Sequence, residues 1–89
     1  MTMLVYRAKE AEKRAKYKIA KNRAYEDYLD AKYKRDIIMQ NPANDVTAIN
    51  RIVEEKYAYC KYVDNYWYQW KKNNYAEMQR EVNKSSHNI

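Results

Sequence analysis

Gln40-Asn41-Pro42-Ala43-Asn44-Asp45 is the one strong interruption in a chain of 89 residues that holds no glycine and a single proline. Proline lacks a backbone N–H and has a fixed φ, so Pro42 suits the first position of a helix and not an interior one. Asn41 before it, or Asn44 and Asp45 one turn later, can cap a helix that starts here. Long segments of good helix formers flank this stretch, with Thr2 a candidate cap for the first. The pattern predicts helix 1 over about 3–39, a turn at 40–45, helix 2 over about 43–83 and a flexible tail at 85–89. The fold class is all-α: a single antiparallel helical hairpin domain over residues 1–84, its helices roughly 55 Å long at ~1.5 Å per residue.

Apolar spacing predicts how the helices meet. Leu4, Ala8, Ala11, Ala15, Ile19, Leu29, Tyr33 and Ile37 share one face of helix 1, and Ile49, Val53, Cys60, Val63, Trp67, Trp70, Met78 and Val82 share one face of helix 2. Folding at the turn sets small residues of helix 1 against large ones of helix 2, such as Ala15 near Trp70 and Ala8 near Met78. More apolar surface remains than one seam covers. Helix 1 has a second stripe of Tyr17, Ala20, Ala24, Tyr28, Ala31 and Ile38, and helix 2 has flanks of Ile52, Tyr59, Tyr62 and Tyr66 and of Tyr57, Tyr68 and Tyr75. A chain this short buries little core alone, so a homodimer is expected, closing into a four-helix bundle. Its expected interface is Ala24, Tyr28 and Ala31 of helix 1 with Tyr59, Tyr62 and Tyr66 of helix 2.

The net charge is +6, and it is unevenly spread. Residues 7–23 hold eight basic side chains against Glu10 and Glu12. A hairpin brings this stretch beside Lys71, Lys72, Arg80 and Lys84, so residues 1–23 and 66–89 together carry twelve basic and four acidic groups. The turn half, 24–65, carries six basic and eight acidic ones. The expected molecule is a rod with one strongly positive end. Eleven tyrosines with no phenylalanine supply rings that tolerate partial exposure. Cations neutralise phosphates and release counterions, while rings stack on unpaired bases. The candidate nucleic-acid contacts are Arg7, Lys13, Arg14, Lys18, Lys21, Lys71 and Lys72 for phosphates, with Tyr6 and Tyr17 for stacking.

Other classes find little support. Without glycine there is no phosphate-binding glycine loop. Asp27 with Asp30, and Glu54 with Glu55, read as exposed helix charges beside lysines. The single histidine, His87, falls in the expected tail, and Cys60 falls on the apolar stripe of helix 2, where a small buried thiol is expected. Thr2, Thr47, Ser85 and Ser86 have no base at useful spacing, and no metal-ligand motif occurs, so neither enzyme activity, cofactor, metal nor small-molecule substrate is expected. No apolar run approaches the ~20 residues of a membrane span, and the basic face lacks the apolar wedge of a membrane-surface helix. MTMLVYRAKEAEKR lacks a long apolar stretch after a basic opening, so no signal peptide is expected. One cysteine fits a reducing, cytoplasmic compartment.

These readings converge on a small basic dimer that binds RNA, or another polyanion, tolerantly of sequence; RNA is favoured because exposed rings have little use against a paired duplex. The general make-up is similar to that of accessory proteins of AT-rich bacteriophages. The resemblance implies sequestration or inhibition of a host or defence factor. The alternative is a protein-only inhibitor or assembly factor that docks a protein target through its tyrosine-rich helix faces.

Overall fold

The computed structural model describes residues 2–87, and the side chains of 2–84. It consists of two helices, α1 (Met3–Met39) and α2 (Thr47–His87), packed antiparallel in a rod of 74 × 18 × 11 Å. Thr2 caps α1 as expected: its backbone is extended and its Oγ1 accepts from Val5 N at 3.2 Å. The turn is longer than the sequence suggested, because α2 begins at Thr47 rather than near 43. Asn41 caps a separate tight turn instead, its Oδ1 accepting from Ala43 N at 3.0 Å while Asn44 N donates to Asn41 O at 3.0 Å. Asn44 Nδ2 reaches back to the Ile38 carbonyl at 3.1 Å, which also accepts from Asn41 N at 3.3 Å, closing the end of α1. Asp45 starts α2, accepting from Thr47 N at 2.9 Å and Thr47 Oγ1 at 2.7 Å. Those bonds hold its carboxyl below the usual range, the backbone bond contributing most. At the other end, α2 continues through Ser85–His87, which had been assigned to the tail; residues 88 and 89 lie outside the described residues.

The helices meet on a different face of α1 from the one the spacing suggested. Leu4, Ala8, Ala11, Ala15, Ile19, Leu29, Tyr33 and Ile37 are all exposed, Leu4 at 78%, Tyr33 at 65% and Ile19 at 64%. The seam is formed instead by the second stripe: Ala24 is buried to 2% exposure, Ala31 and Tyr6 are buried, and Tyr17, Ala20, Tyr28 and Ile38 are half-buried. At 100° per residue the two stripes lie about half a rotation apart, so α1 is turned over. The face of α2 is the expected one, with Val53, Val63 and Met78 buried and Ile49, Cys60, Trp67 and Trp70 half-buried, except at Val82, which is exposed. Continuity accounts for the choice. The buried stripe is apolar without a break from Tyr17 through Ala20, Ala24 and Tyr28 to Ala31, whereas the exposed one is broken by Asn22 and Glu26, both in water. Ala24 and Ala31, expected at a dimer interface, are thus consumed inside the hairpin, where their small size lets the backbones approach closely.

Rings fill the open half of the seam. Tyr17 stacks on Trp67 (5.3 Å, 12°), Trp67 on Trp70 (5.7 Å, 5°) and Trp70 on Tyr6 (6.2 Å, 17°), and Tyr75 closes the row edge-on to Tyr6 (5.8 Å, 71°). Nearer the turn, Tyr28 meets Tyr57 at 5.5 Å and Tyr25 at 6.4 Å. Pairs across the seam follow the expected register closely beside the turn and drift by about one helical turn at the open end.

Which face of α1 is in the seam is testable by overpacking. Ala24→Leu and Ala31→Leu should each destabilise the protein by about 1–3 kcal/mol. At low protein concentration, where the hairpin unfolds as a monomer, Ala11→Leu and Ala15→Leu should leave it within about 0.5 kcal/mol of wild type, as for surface positions. Urea unfolding followed by circular dichroism reads both.

Candidate nucleic-acid interface

Helical periodicity places the flanks of the two helices on two sides of the rod. On one side, Lys13, Lys16 and Ala20 of α1 and Tyr59, Tyr62 and Tyr66 of α2 border a groove of about 270 Å³ whose floor is Tyr17, Val63 and Trp67. Tyr59 and Tyr62 stack at 6.1 Å and 23° along its outer wall, and Tyr62 is 62% exposed. Lys13 leans over the Tyr66 ring, its Nζ 5.7 Å from the centroid. Sequence reasoning put Lys13 and Tyr17 in one group of residues and Tyr59, Tyr62 and Tyr66 in another; the structure brings all five to one groove. Lys16, which it left out, forms part of the rim and pairs with Glu12 at 3.2 Å. Its signal was available in the spacing: Lys16 lies three residues beyond Lys13, on the same flank of α1.

The opposite side is organised around Asp64. Tyr17 O–H donates to its Oδ1 and Lys21 Nζ lies 3.4 Å from the same atom. Lys21 also stands 5.5 Å from the Tyr17 ring, and Lys71 stands 5.3 Å from the Trp67 ring. Burial, then the Asp64 bond, pushes the Tyr17 phenol up, with Lys21 opposing. Lys21 is itself raised, first by its bond to Tyr17 and then by Asp64. These contacts anchor Lys21 and Lys71 to the seam, and Arg14 is tied to Glu10 at 3.8 Å. Arg7, Lys18 and Lys72 are exposed. Of the two rings expected to stack on bases, Tyr6 is buried between Trp70 and Tyr75, and Tyr17 has a face on Trp67. Both belong to the hairpin's own core. The rings that remain open are those of α2.

Within residues 7–23, carboxylates hold Arg14, Lys16 and Lys21, leaving Arg7, Lys9, Lys13, Lys18 and Arg23 without an acidic partner among the described residues. Cys60 is half-buried, and burial, helped by Asp64 and Asp27, raises its thiol pKa. Among the described residues no three His, Cys, Asp or Glu side chains gather as metal ligands, and no helix is long and apolar enough to cross a membrane. No protein-family model, curated protein or solved structure matches the chain.

The raised groups share one sign. Tyr6, lifted chiefly by burial, and Tyr17, Cys60 and Lys21 all bind their protons more tightly folded than unfolded. Their contribution is complete below the unfolded values and is lost as pH rises through the thiol, phenol and ammonium range, about 8.5 to 10.4. The melting temperature should therefore fall steadily from pH 8 to pH 10.5. Folded Cys60 should react with iodoacetamide more slowly at pH 8 than the same thiol in urea.

Proposed function

We propose that this hairpin binds single-stranded RNA in the Lys13/Lys16/Tyr59/Tyr62/Tyr66 groove and acts by sequestration, as a homodimer. One observation carries the reading: exposed rings and two lysines border one groove that reaches from the margin of the turn half into the half of the rod where basic residues outnumber acidic ones twelve to four. Lys13 and Lys16 meet phosphates, with Arg7, Lys18 and Lys72 adding longer-range attraction. Tyr62 and Tyr66 offer faces to unstacked bases. A duplex keeps its bases stacked away from such rings, which favours a single strand. No element is shaped to read base edges, so recognition rests on charge and stacking. RNA held this way is withheld from another protein, and inhibition of a host or defence factor is one form that such sequestration takes.

Fluorescence anisotropy with a labelled single-stranded RNA of about a dozen nucleotides tests this reading. With roughly four phosphates neutralised, log K should fall against log salt with a slope near −3. Tyr62→Ala with Tyr66→Ala should cost about 1–3 kcal/mol per base unstacked, and Lys13→Glu with Lys16→Glu should abolish binding. Duplex DNA of equal length should bind more weakly. Absence of any anisotropy change at about 50 mM salt, where phosphate contacts are strongest, removes the proposal.

A further inference from the structure

The stripe that the hairpin leaves outside has the properties of an interface with a second copy of this chain. We infer that two hairpins associate through the outward faces of α1, antiparallel, about a two-fold axis near residues 20 and 21. This gives the dimer named above its surface and orientation, and it stands or falls separately from RNA binding.

Three observations support it. First, the exposure is one-sided. The outward face of α1 carries Leu4, Ile19, Leu29, Tyr33 and Ile37 in water, whereas that of α2 is polar, with Arg51, Glu54, Asn65, Gln69 and Lys72. The exposed apolar side chains of α2, such as Ile52, Tyr62 and Tyr68, lie on its flanks, so among the described residues the outward face of α1 is the one of the two that carries an apolar stripe along its length. Second, its sizes are complementary when the stripe is reversed on itself. With Leu4 opposite Ile37 of the second copy, Ala8 comes opposite Tyr33, Ala11 lies beside Leu29, and Ile19 comes opposite Asn22. The small residues Ala8, Ala11 and Ala15 all sit in the first half of α1, and Leu29, Tyr33 and Ile37 in the second, so the antiparallel arrangement sets Ala8 and Ala11 against large partners.

Third, charge selects the same orientation. A parallel pair would lay the eight cations of residues 7–23 along their own copies. Reversal sets that stretch against residues 18–34, which hold five basic and three acidic groups, so the facing charge is less one-sided than the eight basic and two acidic groups of the parallel pair. Arg7 then approaches Asp36. Glu26, which interrupts the stripe, faces Ala15 within reach of Lys16 and Lys18. Asn22, the other interruption, falls beside the axis, where its amide can bond its own copy; a polar group so placed fixes register in helix pairs. A 37-residue helix face about 55 Å long and 10 Å wide buries about 1,100 Å² in total when doubled, enough for a specific interface.

Sedimentation equilibrium of the nuclease-treated full chain, in about 0.3 M salt to screen bridging polyanions, tests the association. A mass near twice 10.9 kDa is expected at about 100 μM, and the monomer mass for Ile19→Glu with Leu29→Glu. The far-UV spectrum of that variant should be unchanged, since neither residue is in the seam. Tyr62→Ala with Tyr66→Ala should remain dimeric. For orientation, Ala8→Cys and Tyr33→Cys are made separately in a Cys60→Ala background. Mixed and oxidised, they should form a disulfide-linked pair, while Ala8→Cys alone should not. A monomeric wild type, or a dimer that survives Ile19→Glu with Leu29→Glu, overturns the surface; self-linkage of Ala8→Cys overturns the orientation. A monomer that still binds RNA defeats the pairing and leaves the RNA groove standing, and a dimer without RNA affinity defeats the RNA groove and leaves the pairing standing.

Discussion

The row of stacked rings from Tyr17 through Trp67, Trp70 and Tyr6 to Tyr75 is the contact on which the rest of the hairpin depends. Two helices cannot enclose a layered core. Every seam residue lies near an edge, and among the described residues only Tyr6, Ala24, Ala31, Val53, Val63 and Met78 are buried. Rings suit such a seam because each covers a large area and offset stacking adds about 0.5–1.5 kcal/mol per pair beyond area. Tyrosine suits it better than phenylalanine, since its hydroxyl can end at the seam's margin. Tyr17 shows this: the ring lies on Trp67 while the O–H reaches Asp64. The absence of phenylalanine is thus consistent with a protein that has almost no place out of reach of water.

The same contact governs where charge can go. Once Tyr6, Tyr17 and the alanines turn inward, the cations of residues 7–23 are divided between the two flanks of α1. On the Asp64 side Lys21 is spent on the fold, bridging Tyr17 and Asp64, and Arg14 is tied to Glu10, while Arg7 and Lys18 stay exposed. On the groove side Lys13 leans on the Tyr66 ring and Lys16 pairs with Glu12, and both border the open groove where a ligand can meet them. The Lys21 flank therefore also stabilises the hairpin, whereas the groove flank sets its lysines beside open rings, although the composition of the two is nearly alike.

The helical hairpin, the α2 face, the Thr2 cap and the positive end were legible in the sequence because each follows from local spacing or from counting along a rod. The α1 face was not. Periodicity alone cannot choose between two stripes half a turn apart, and both stripes satisfy it. The deciding information lay in continuity: Asn22 and Glu26 interrupt one stripe where Ala20, Ala24 and Ala31 leave the other smooth. The start of α2 was misjudged for a related reason. Asn41, Asn44 and Asp45 are all good caps, and their competition is settled by tertiary geometry at the turn, where the Asn44 side chain bonds the Ile38 carbonyl. In the groove, the participating residue types were legible but their grouping was not, since the turn of α1 decides which tyrosines face which lysines. That turn moved Tyr6 and Tyr17 from the outside to the core and left Tyr59, Tyr62 and Tyr66 as the open rings.

The proposed groove and the proposed dimer constrain one another. The groove lies on a flank of α1, about a quarter turn or more from the outward stripe, so pairing through that stripe does not cover it. A two-fold axis perpendicular to both α1 helices keeps equivalent flanks on the same side. The two grooves would then open in one direction, their Lys13 residues about 20 Å apart along the rod at ~1.5 Å per residue. A single flexible strand could cross both, and binding at the second groove would become intramolecular once the first was filled, raising avidity without any new contact. Parallel pairing would instead mass both sets of cations at one end, and pairing through the tyrosine flank of α2 would bury the rings that a base needs. The arrangement that best relieves the exposed apolar stripe is therefore also the one that leaves the charged groove usable.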